Sequence, residues 1–402
     1  MRRKGFAVFL VCFISYSTIY VARMNLSMAS PILIEKGVLN AAQIGVLGST
    51  FSLIYSCGRL LSGALTDRLA PILFILSGLL LTGAANLAVG YLPAYPLFLL
   101  FWGINALSQS MLWSAMLCTV SATSDPDVGN RRAALLVASV SVGNIAAILL
   151  ITRLIGRFGV QAAFFVPGAL TLLLCLISAW VLCRTPAVQP QPVSRTLMPG
   201  LKGLLRLDPQ LLRMLLPAMS HGVIKENIVL WMVVFFIDRF AINLESSAYF
   251  VLLIPVVGLA GRLSFPLFYR LCRKSEHFLS LIAFAVCGVL SAVLALLPIS
   301  PLLSAICLGL LYAGASIINT ATLSIFPLRF SDRGAVASVS GLMDFVAYLG
   351  ASAGAAVYGL LIVKKIYAPM FLSWTLLSVL SIWSLFKQFT SGREPSAVQK
   401  SD

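Results

Sequence analysis

Four charged residues lie within long apolar stretches of the sequence: Arg23, Lys225, Glu226 and Asp344. A charge at the centre of a membrane costs roughly 2.5–3.5 kcal/mol on insertion scales, so residues of this kind are candidates for function. Arginine offers a planar fork of donors that fits phosphate or carboxylate, and lysine offers a compact positive charge. Arg23 and Lys225 together therefore predict a binding site for a small anionic solute.

The two acidic residues keep two other interpretations open. Glu226 and Asp344 can pair with the cations and serve only to hold helices together. Alternatively they are the working groups of a proton-coupled carrier, because carboxyl groups in a membrane are common proton sites. The sequence predicts both acids as sites of charge pairing or proton coupling.

Several polar and aromatic residues accompany these charges. Tyr16, Tyr20 and Arg23 fall on one face of the predicted first helix, and His221 lies one turn before Lys225. Tyrosine hydroxyls can bond a phosphoryl oxygen, although such a row is also a common packing surface. His221 either makes an interhelical hydrogen bond or relays protons. Three amide side chains either line the same cavity or join helices: Asn105, Gln109 and Asn144.

The composition predicts that membrane helices position these side chains. Hydrophobic residues make up 59% of the chain, charged residues make up 10%, and the mean hydropathy is +0.97. Soluble domains contain only about 45–50% apolar residues. The chain is therefore predicted to be an all-α membrane protein, with the lipid bilayer as its surroundings.

Charge and motif content exclude other classes of protein. The net charge of +16 lies mostly in short connectors between apolar stretches, which argues against nucleic acid as a partner. The same connectors predict that both termini are cytoplasmic, and we expect a multi-pass protein of the cell's inner (plasma) membrane. The eight cysteines have no paired spacing, and no phosphate-binding loop or zinc motif occurs. We expect no enzyme activity, no cofactor and no metal.

The apolar stretches predict twelve membrane-spanning helices in two halves. The predicted domains are an N-terminal six-helix bundle (1–183), a cytoplasmic linker (184–210), a C-terminal six-helix bundle (211–387) and a cytoplasmic tail (388–402). The helices are predicted at 6–30, 42–65, 72–90, 96–120, 133–156, 160–183, 211–238, 246–268, 277–298, 302–326, 335–361 and 366–387.

The two halves repeat one another in sequence. The segment GRLLSGALTDRL at 58–69 is similar to GRLSFPLFYRL at 261–271, and Arg68 lies 202 positions before Arg270. Arg23 and Lys225 are separated by the same 202 positions. This offset predicts that they are partners at equal depth in two pseudo-symmetric bundles. Repeats of this kind are typical of transporters, whose solute site lies near the middle of the membrane.

Two motifs carry a resemblance to a known family. The segment GALTDR at 63–68 follows the predicted second helix and resembles the loop motif of the major facilitator superfamily. That resemblance implies the major facilitator fold and a gating role for Gly63, Asp67 and Arg68. The segment from Tyr20 to Pro31 resembles the R-x-N-x-x-x-A-x-P signature of the organophosphate:phosphate antiporters, the group that includes the glycerol-3-phosphate and hexose-phosphate carriers.

The antiporter resemblance implies that one basic residue in the first helix and one in the seventh hold a phosphate, as Arg23 and Lys225 would. The seventh-helix residue of the group is usually arginine, so Lys225 departs from the pattern. The mid-helix histidine of the glycerol-3-phosphate carrier corresponds to Gly143 in this chain. Carriers of this type work as single chains, which implies a monomer.

The expected function is secondary active transport of a small organic anion, a phosphorylated metabolite, by alternating access. Two alternatives stay open. One is a proton-coupled exporter or symporter of a non-phosphate substrate, which would use Glu226 or Asp344. The other is a membrane sensor that binds a sugar phosphate.

Overall fold

The computed structural model describes residues 2–66, 70–92, 94–123, 128, 131–132, 135–184, 208–330 and 336–390. Within these ranges the regular structure is entirely helical, with no β-strand. Most of the predicted linker, the last part of the predicted tail, and Asp67 and Arg68 of the loop motif lie outside the described residues.

Thirteen α-helices lie within the described residues. Long apolar segments form helices because a helix satisfies its backbone hydrogen bonds internally. They are α1 (Arg2–Glu35), α2 (Ala41–Thr66), α3 (Pro71–Gly90), α4 (Tyr95–Ser110), α5 (Leu112–Ala122), α6 (Ala138–Phe158), α7 (Ala162–Leu182), α8 (Pro209–Phe240), α9 (Leu244–Leu271), α10 (Glu276–Leu296), α11 (Pro301–Thr320), α12 (Val336–Val363) and α13 (Ala368–Thr390). A π-helical turn (Ala321–Ile325) and a 3-10 turn (Phe326–Phe330) follow α11.

The predicted spans agree with these helices apart from one division. Among the described residues, eleven helical segments are long and apolar enough to cross a membrane. The predicted fourth span, 96–120, is instead divided at Met111 into α4 and α5, of 16 and 11 residues. Met111 itself has helical dihedral angles, with φ −79° and ψ −21°. The all-α membrane fold predicted from composition is confirmed, and none of the eight cysteines forms a disulfide.

Contacts divide the chain into two compact units. Unit 1 contains 1–195, 229–256 and 355–365, and unit 2 contains 196–228, 257–354 and 366–402. In unit 1, α3 packs on α7, and in unit 2, α10 packs on α13. These pairs are the third and sixth, and the ninth and twelfth, of the predicted spans, as an internal repeat would produce. The predicted six-helix halves stay a prediction.

Each unit also contains a close helix contact at a glycine. In unit 1, a β-carbon at Gly143 of α6 would overlap the carbonyl oxygen of Ser17 and would lie 2.7 Å from the β-carbon of Tyr20, both in α1. In unit 2, a β-carbon at Gly222 of α8 would lie 2.6 Å from the carbonyl carbon of Ala347 in α12. Only glycine allows the backbones to approach so closely, a common device in membrane helices.

Candidate functional site

Arg23 lies in the middle of α1, with aromatic rings around its guanidinium group. The guanidinium carbon is 4.8 Å from the ring centre of Phe51, 5.0 Å from that of Tyr55 and 5.8 Å from that of Tyr20. Phe51 and Tyr55 are one turn apart in α2 and stack with their centres 5.9 Å apart. A ring face attracts a cation by its quadrupole, so the rings stabilise the arginine without cancelling its charge. The side chain is partly exposed.

The predicted row of tyrosines on α1 continues this aromatic surface. Tyr16 and Tyr20 contact each other edge to face with ring centres 5.4 Å apart, and Tyr16 also contacts Trp113 of α5 at 5.1 Å. Tyr16 is buried, whereas Tyr20 is partly exposed. Arg59 donates a hydrogen bond from Nη1 to the Tyr55 hydroxyl at 3.4 Å. Arg59, which lies in α2, is therefore a second arginine that contacts the Tyr55 side chain.

Two of the predicted amide candidates belong to a buried network. Asn105 and Gln109 are buried in α4, where Gln109 Nε2 donates to Asn105 Oδ1 at 2.9 Å. Asn86 Nδ2 of α3 donates to the same oxygen at 3.3 Å. Asn144 of α6 is also buried, and its Oδ1 has no hydrogen-bond partner among the described atoms. The binding role of these three residues stays a prediction.

Lys225 of α8 forms an ion pair in unit 2. Its Nζ lies 2.9 Å from Oε1 of the adjacent Glu226, and the two side chains are 15% and 16% exposed. The predicted pairing of Lys225 with Glu226 is therefore present. Arg262 and Tyr312 lie within electrostatic range of Lys225. The positive charge on Lys225 is thus largely balanced by its neighbour in sequence.

His221 is buried one turn before Lys225 and is held from both ring nitrogens. Nδ1 lies 3.3 Å from the Pro217 carbonyl oxygen, and Nε2 lies 3.0 Å from Nδ2 of Asn319 in α11. A carbonyl oxygen can only accept, so the proton is assigned to Nδ1, and Nε2 accepts from Asn319. This geometry matches the interhelical hydrogen bond that the sequence left open beside a proton relay.

Asp344 and Gly63 are the remaining predicted site residues among those that the structure describes. Asp344 lies in α12 and is partly exposed. Gly63 lies in the last turn of α2, whereas Asp67 and Arg68 fall outside the described residues. The proton-coupling and gating roles therefore stay predictions. Among the described residues, no three His, Cys, Asp or Glu side chains are placed to hold a metal ion.

Unit 1 also contains a cavity of about 1200 Å³ that sequence reasoning did not single out. It lies at the carboxyl-terminal ends of α1 and α6 and at the start of α9. Apolar residues line most of it, and its charged lining residues are Glu35, Lys36, Arg153, Arg157, Asp238, Glu245 and Lys365. Lys365 Nζ lies 3.7 Å from Asp238 Oδ1. Because the charges of both signs nearly balance, this cavity has no marked preference for an anion.

Comparison with known proteins assigns the chain to a family. The sequence profile described as the Major Facilitator Superfamily matches residues 12–355, which is most of the chain. The chain belongs to the Major Facilitator Superfamily. Members of this superfamily are membrane transporters and not enzymes, so the predicted family, the multi-pass membrane location and the absence of enzyme activity are confirmed.

Curated relatives of this facilitator are similar over part of the chain. A probable hexose phosphate transport protein of Chlamydia muridarum (strain MoPn / Nigg) is 31% identical over 186 residues, covering 46% of this chain and 40% of the relative. The membrane sensor protein UhpC of Escherichia coli (strain K12) is 24% identical, covering 44% of this chain and 41% of the relative. A glycerol-3-phosphate transporter of Haemophilus influenzae (strain ATCC 51907 / DSM 11121 / KW20 / Rd) is 34% identical, covering 23% and 19%.

These similarities therefore span about two fifths or less of the relatives' own lengths. Their printed names agree with the resemblance to the organophosphate:phosphate antiporters. Solved structures support the fold over nearly the whole chain. The nucleoside transporter NupG superimposes with a TM-score of 0.79 at 13% identity, covering 96% of this chain and 99% of NupG.

Sequence reasoning missed some residues of the facilitator's arginine site. Phe51 and Tyr55 lie one turn apart on α2, and this spacing was a signal that the two rings form one surface. Nothing in the sequence placed that surface against Arg23, because α1 and α2 meet only in the folded unit. Asn86 was missed for the same reason, since its partners are in α1 and α4.

Proposed function

We propose that this chain is a secondary active transporter of a small organic anion that carries a phosphate group. Arg23 and Lys225 are the proposed anion ligands. Transport proceeds by alternating access, with a single chain as the working unit.

The observation that carries the proposal is the environment of Arg23. A guanidinium group within an apolar helix is costly unless it is stabilised, and here three ring faces stabilise it while it keeps its charge. A permanently charged, planar donor is suited to phosphate, which accepts two parallel hydrogen bonds from such a group. The printed names of the relatives, a hexose phosphate transport protein and a glycerol-3-phosphate transporter, point to the same class of solute.

Orientation is also part of the proposal. Lys and Arg are concentrated in the connectors on the side that carries the N-terminus, which by the positive-inside rule is the cytoplasm. Both termini are therefore cytoplasmic. The cavity at the end of α1 then opens on the outer face of the inner membrane, since α1 begins on the inner face.

The test is exchange in liposomes that contain the purified full-length protein. The liposomes are loaded with inorganic phosphate, and the entry of radiolabelled glucose 6-phosphate and glycerol 3-phosphate is measured. Saturable entry that needs internal phosphate is expected. Arg23→Gln should lower the rate about 100-fold, because it removes a charge-assisted bond worth about 1.5–3 kcal/mol. Lys225→Gln should also lower the rate, because the negative charge of Glu226 is then no longer balanced by Lys225 and repels the phosphate.

Lys365→Gln is the matched control, since Lys365 is a cation at the exposed rim of the cavity in unit 1. It should change the rate less than twofold. Each variant is checked by gel filtration for a folded, monodisperse protein. Equal loss of activity in the control would show that any lost charge has this effect and would contradict the proposal.

Two alternatives are separated by the same assay. Entry of a non-phosphate solute driven by a pH gradient alone, with no response to phosphate esters, would favour a proton-coupled carrier that uses Glu226 or Asp344. The similarity to a membrane sensor protein favours the second alternative. Saturable binding of a sugar phosphate with no exchange at all would support a sensor and contradict transport.

A further inference from the structure

A chain of amide side chains joins three helices of unit 1 behind Arg23. Asn25 Nδ2 of α1 donates to Asn86 Oδ1 of α3 at 2.7 Å. Asn86 Nδ2 donates to Asn105 Oδ1 of α4 at 3.3 Å, and it also donates to the Thr82 carbonyl oxygen at 2.9 Å. All three asparagines are fully buried. The donors and acceptors follow one direction from α1 to α4, so each amide orientation is consistent with the next.

Both ends of this chain return to the backbone of α1. Asn105 Nδ2 donates to the Ala22 carbonyl oxygen at 3.4 Å. The backbone N–H of Leu26 donates to Asn25 Oδ1 at 2.8 Å. In a regular α-helix the N–H of Leu26 and the carbonyl of Ala22 are each other's partners, because they are four residues apart. The network therefore holds both ends of one backbone hydrogen bond of α1.

The turn held in this way is the one that carries Arg23, which lies between Ala22 and Leu26. Successive helical residues are rotated by about 100°, so Asn25 points to nearly the opposite side of α1 from Arg23. Arg23 contacts the rings of α2 while Asn25 bonds to α3. The network thus lies on the side of α1 opposite the guanidinium group. It can hold Arg23 in position without contacting the solute.

We infer that Asn25, Asn86 and Asn105 are positioning residues that set the rotation and height of the Arg23 turn, and through it the affinity of the transporter for anions. This inference rests on the proposed function, in which Arg23 binds the anion. It assigns Asn105 a role in holding the ligand residue instead of a direct contact with solute. Buried amides within a membrane suit this role, since each unsatisfied group would be costly.

The experiment compares Asn105→Leu with Thr82→Val in the full-length protein. Thr82 Oγ1 lies 2.8 Å from Ser108 Oγ, a buried hydrogen bond that joins α3 to α4 without reaching α1. Both variants lose a buried polar contact of the α3–α4 interface, but only Asn105→Leu releases the Ala22 carbonyl. Asn105→Ser serves as the milder variant where Asn105→Leu fails to fold.

The first measurement needs no ligand. Hydrogen–deuterium exchange of peptides covering residues 20–28 should become at least tenfold faster in Asn105→Leu and stay within twofold of wild type in Thr82→Val. Unchanged exchange in Asn105→Leu would overturn the inference whatever the protein transports.

The second measurement is the binding of radiolabelled inorganic phosphate. The dissociation constant should rise about tenfold in Asn105→Leu and less than twofold in Thr82→Val. If phosphate binding weakens equally in both variants, the network serves only to pack the helices together, and the positioning role is overturned. A wild-type protein that binds no phosphate would contradict the proposed function, and the exchange result would still decide whether the network holds the turn.

Discussion

The surroundings of Arg23 in unit 1 and of Lys225 in unit 2 differ in how they stabilise a membrane cation. Arg23 lies against three aromatic rings, and Lys225 lies 2.9 Å from a carboxylate. Rings stabilise a charge and leave its field in place, whereas a carboxylate cancels most of that field. The two positions correspond in the sequence repeat, yet the physical solution is different in each. The Glu226 carboxylate therefore competes with any bound anion for the charge of Lys225.

The largest expected effect comes from exchanging the two kinds of cation. Arg23→Lys keeps the charge but loses the planar group that stacks on Phe51 and Tyr55 and bonds phosphate in parallel. Phosphate exchange should fall about 30-fold in liposomes. The reverse change, Lys225→Arg, should alter it less than threefold, because Glu226 can pair with either side chain. Equal losses in the two variants would mean that the sites do not differ as described.

A smaller effect is expected from the close helix contact that supports each cation. Gly143→Ala would force α6 away from Ser17 in α1 and should lower the free energy of unfolding by about 2 kcal/mol. Thermal unfolding followed by intrinsic fluorescence measures the change. Gly156→Ala in the same helix is the control, since no atom lies within 4 Å of its β-carbon and alanine favours a helix by about 1 kcal/mol.

Gly222→Ala tests the corresponding contact in unit 2, where the β-carbon would meet Ala347. A similar loss of stability is expected. Stability in Gly143→Ala equal to that of Gly156→Ala would show that α1 and α6 separate freely, and the close contact would then have no part in fixing Arg23.

The smallest expected effect is a gain. Glu226→Gln keeps an oxygen that can accept from Lys225 but removes the negative charge, so Lys225 would attract an anion more strongly. An added unit charge at this range is worth about 1–2 kcal/mol in a partly buried site, which is roughly a tenfold tighter phosphate dissociation constant. Glu245→Gln removes an exposed acid of the cavity in unit 1 and should leave binding within twofold. Weaker binding in Glu226→Gln would instead favour a proton-coupling role for the acid.

Local features of the fold followed from the sequence. Apolar runs located the helices. The four-residue spacing of Tyr16 and Tyr20 predicted that they share one helix face, and in the structure their rings contact each other there. The division at Met111 was not predictable, since its dihedral angles are helical and no proline or glycine marks it. The π-helical turn after α11 was equally unmarked.

Contacts between residues that are far apart in the sequence were the part of the site that was hardest to predict. The residues that surround Arg23 belong to α1 and α2, and their meeting depends on how side chains fill the folded unit. The amide network shows the same limit, because Asn25 and Asn86 are separated by 61 residues. The contact between Lys225 and Glu226 was easier to predict, because neighbours in sequence with long side chains of opposite charge can form an ion pair locally.

The Lys225–Glu226 pair has an electrical consequence for the proposed carrier. Since its ammonium and carboxylate groups sum to zero, the pair would add nothing to the charge that moves when the carrier changes state. The ionic form of the bound phosphate ester would then set how strongly membrane voltage biases this movement, because a doubly charged ester carries one more negative charge than a singly charged one. Voltage would favour movement of the doubly charged form toward the positive side and thereby select which ionic form is carried.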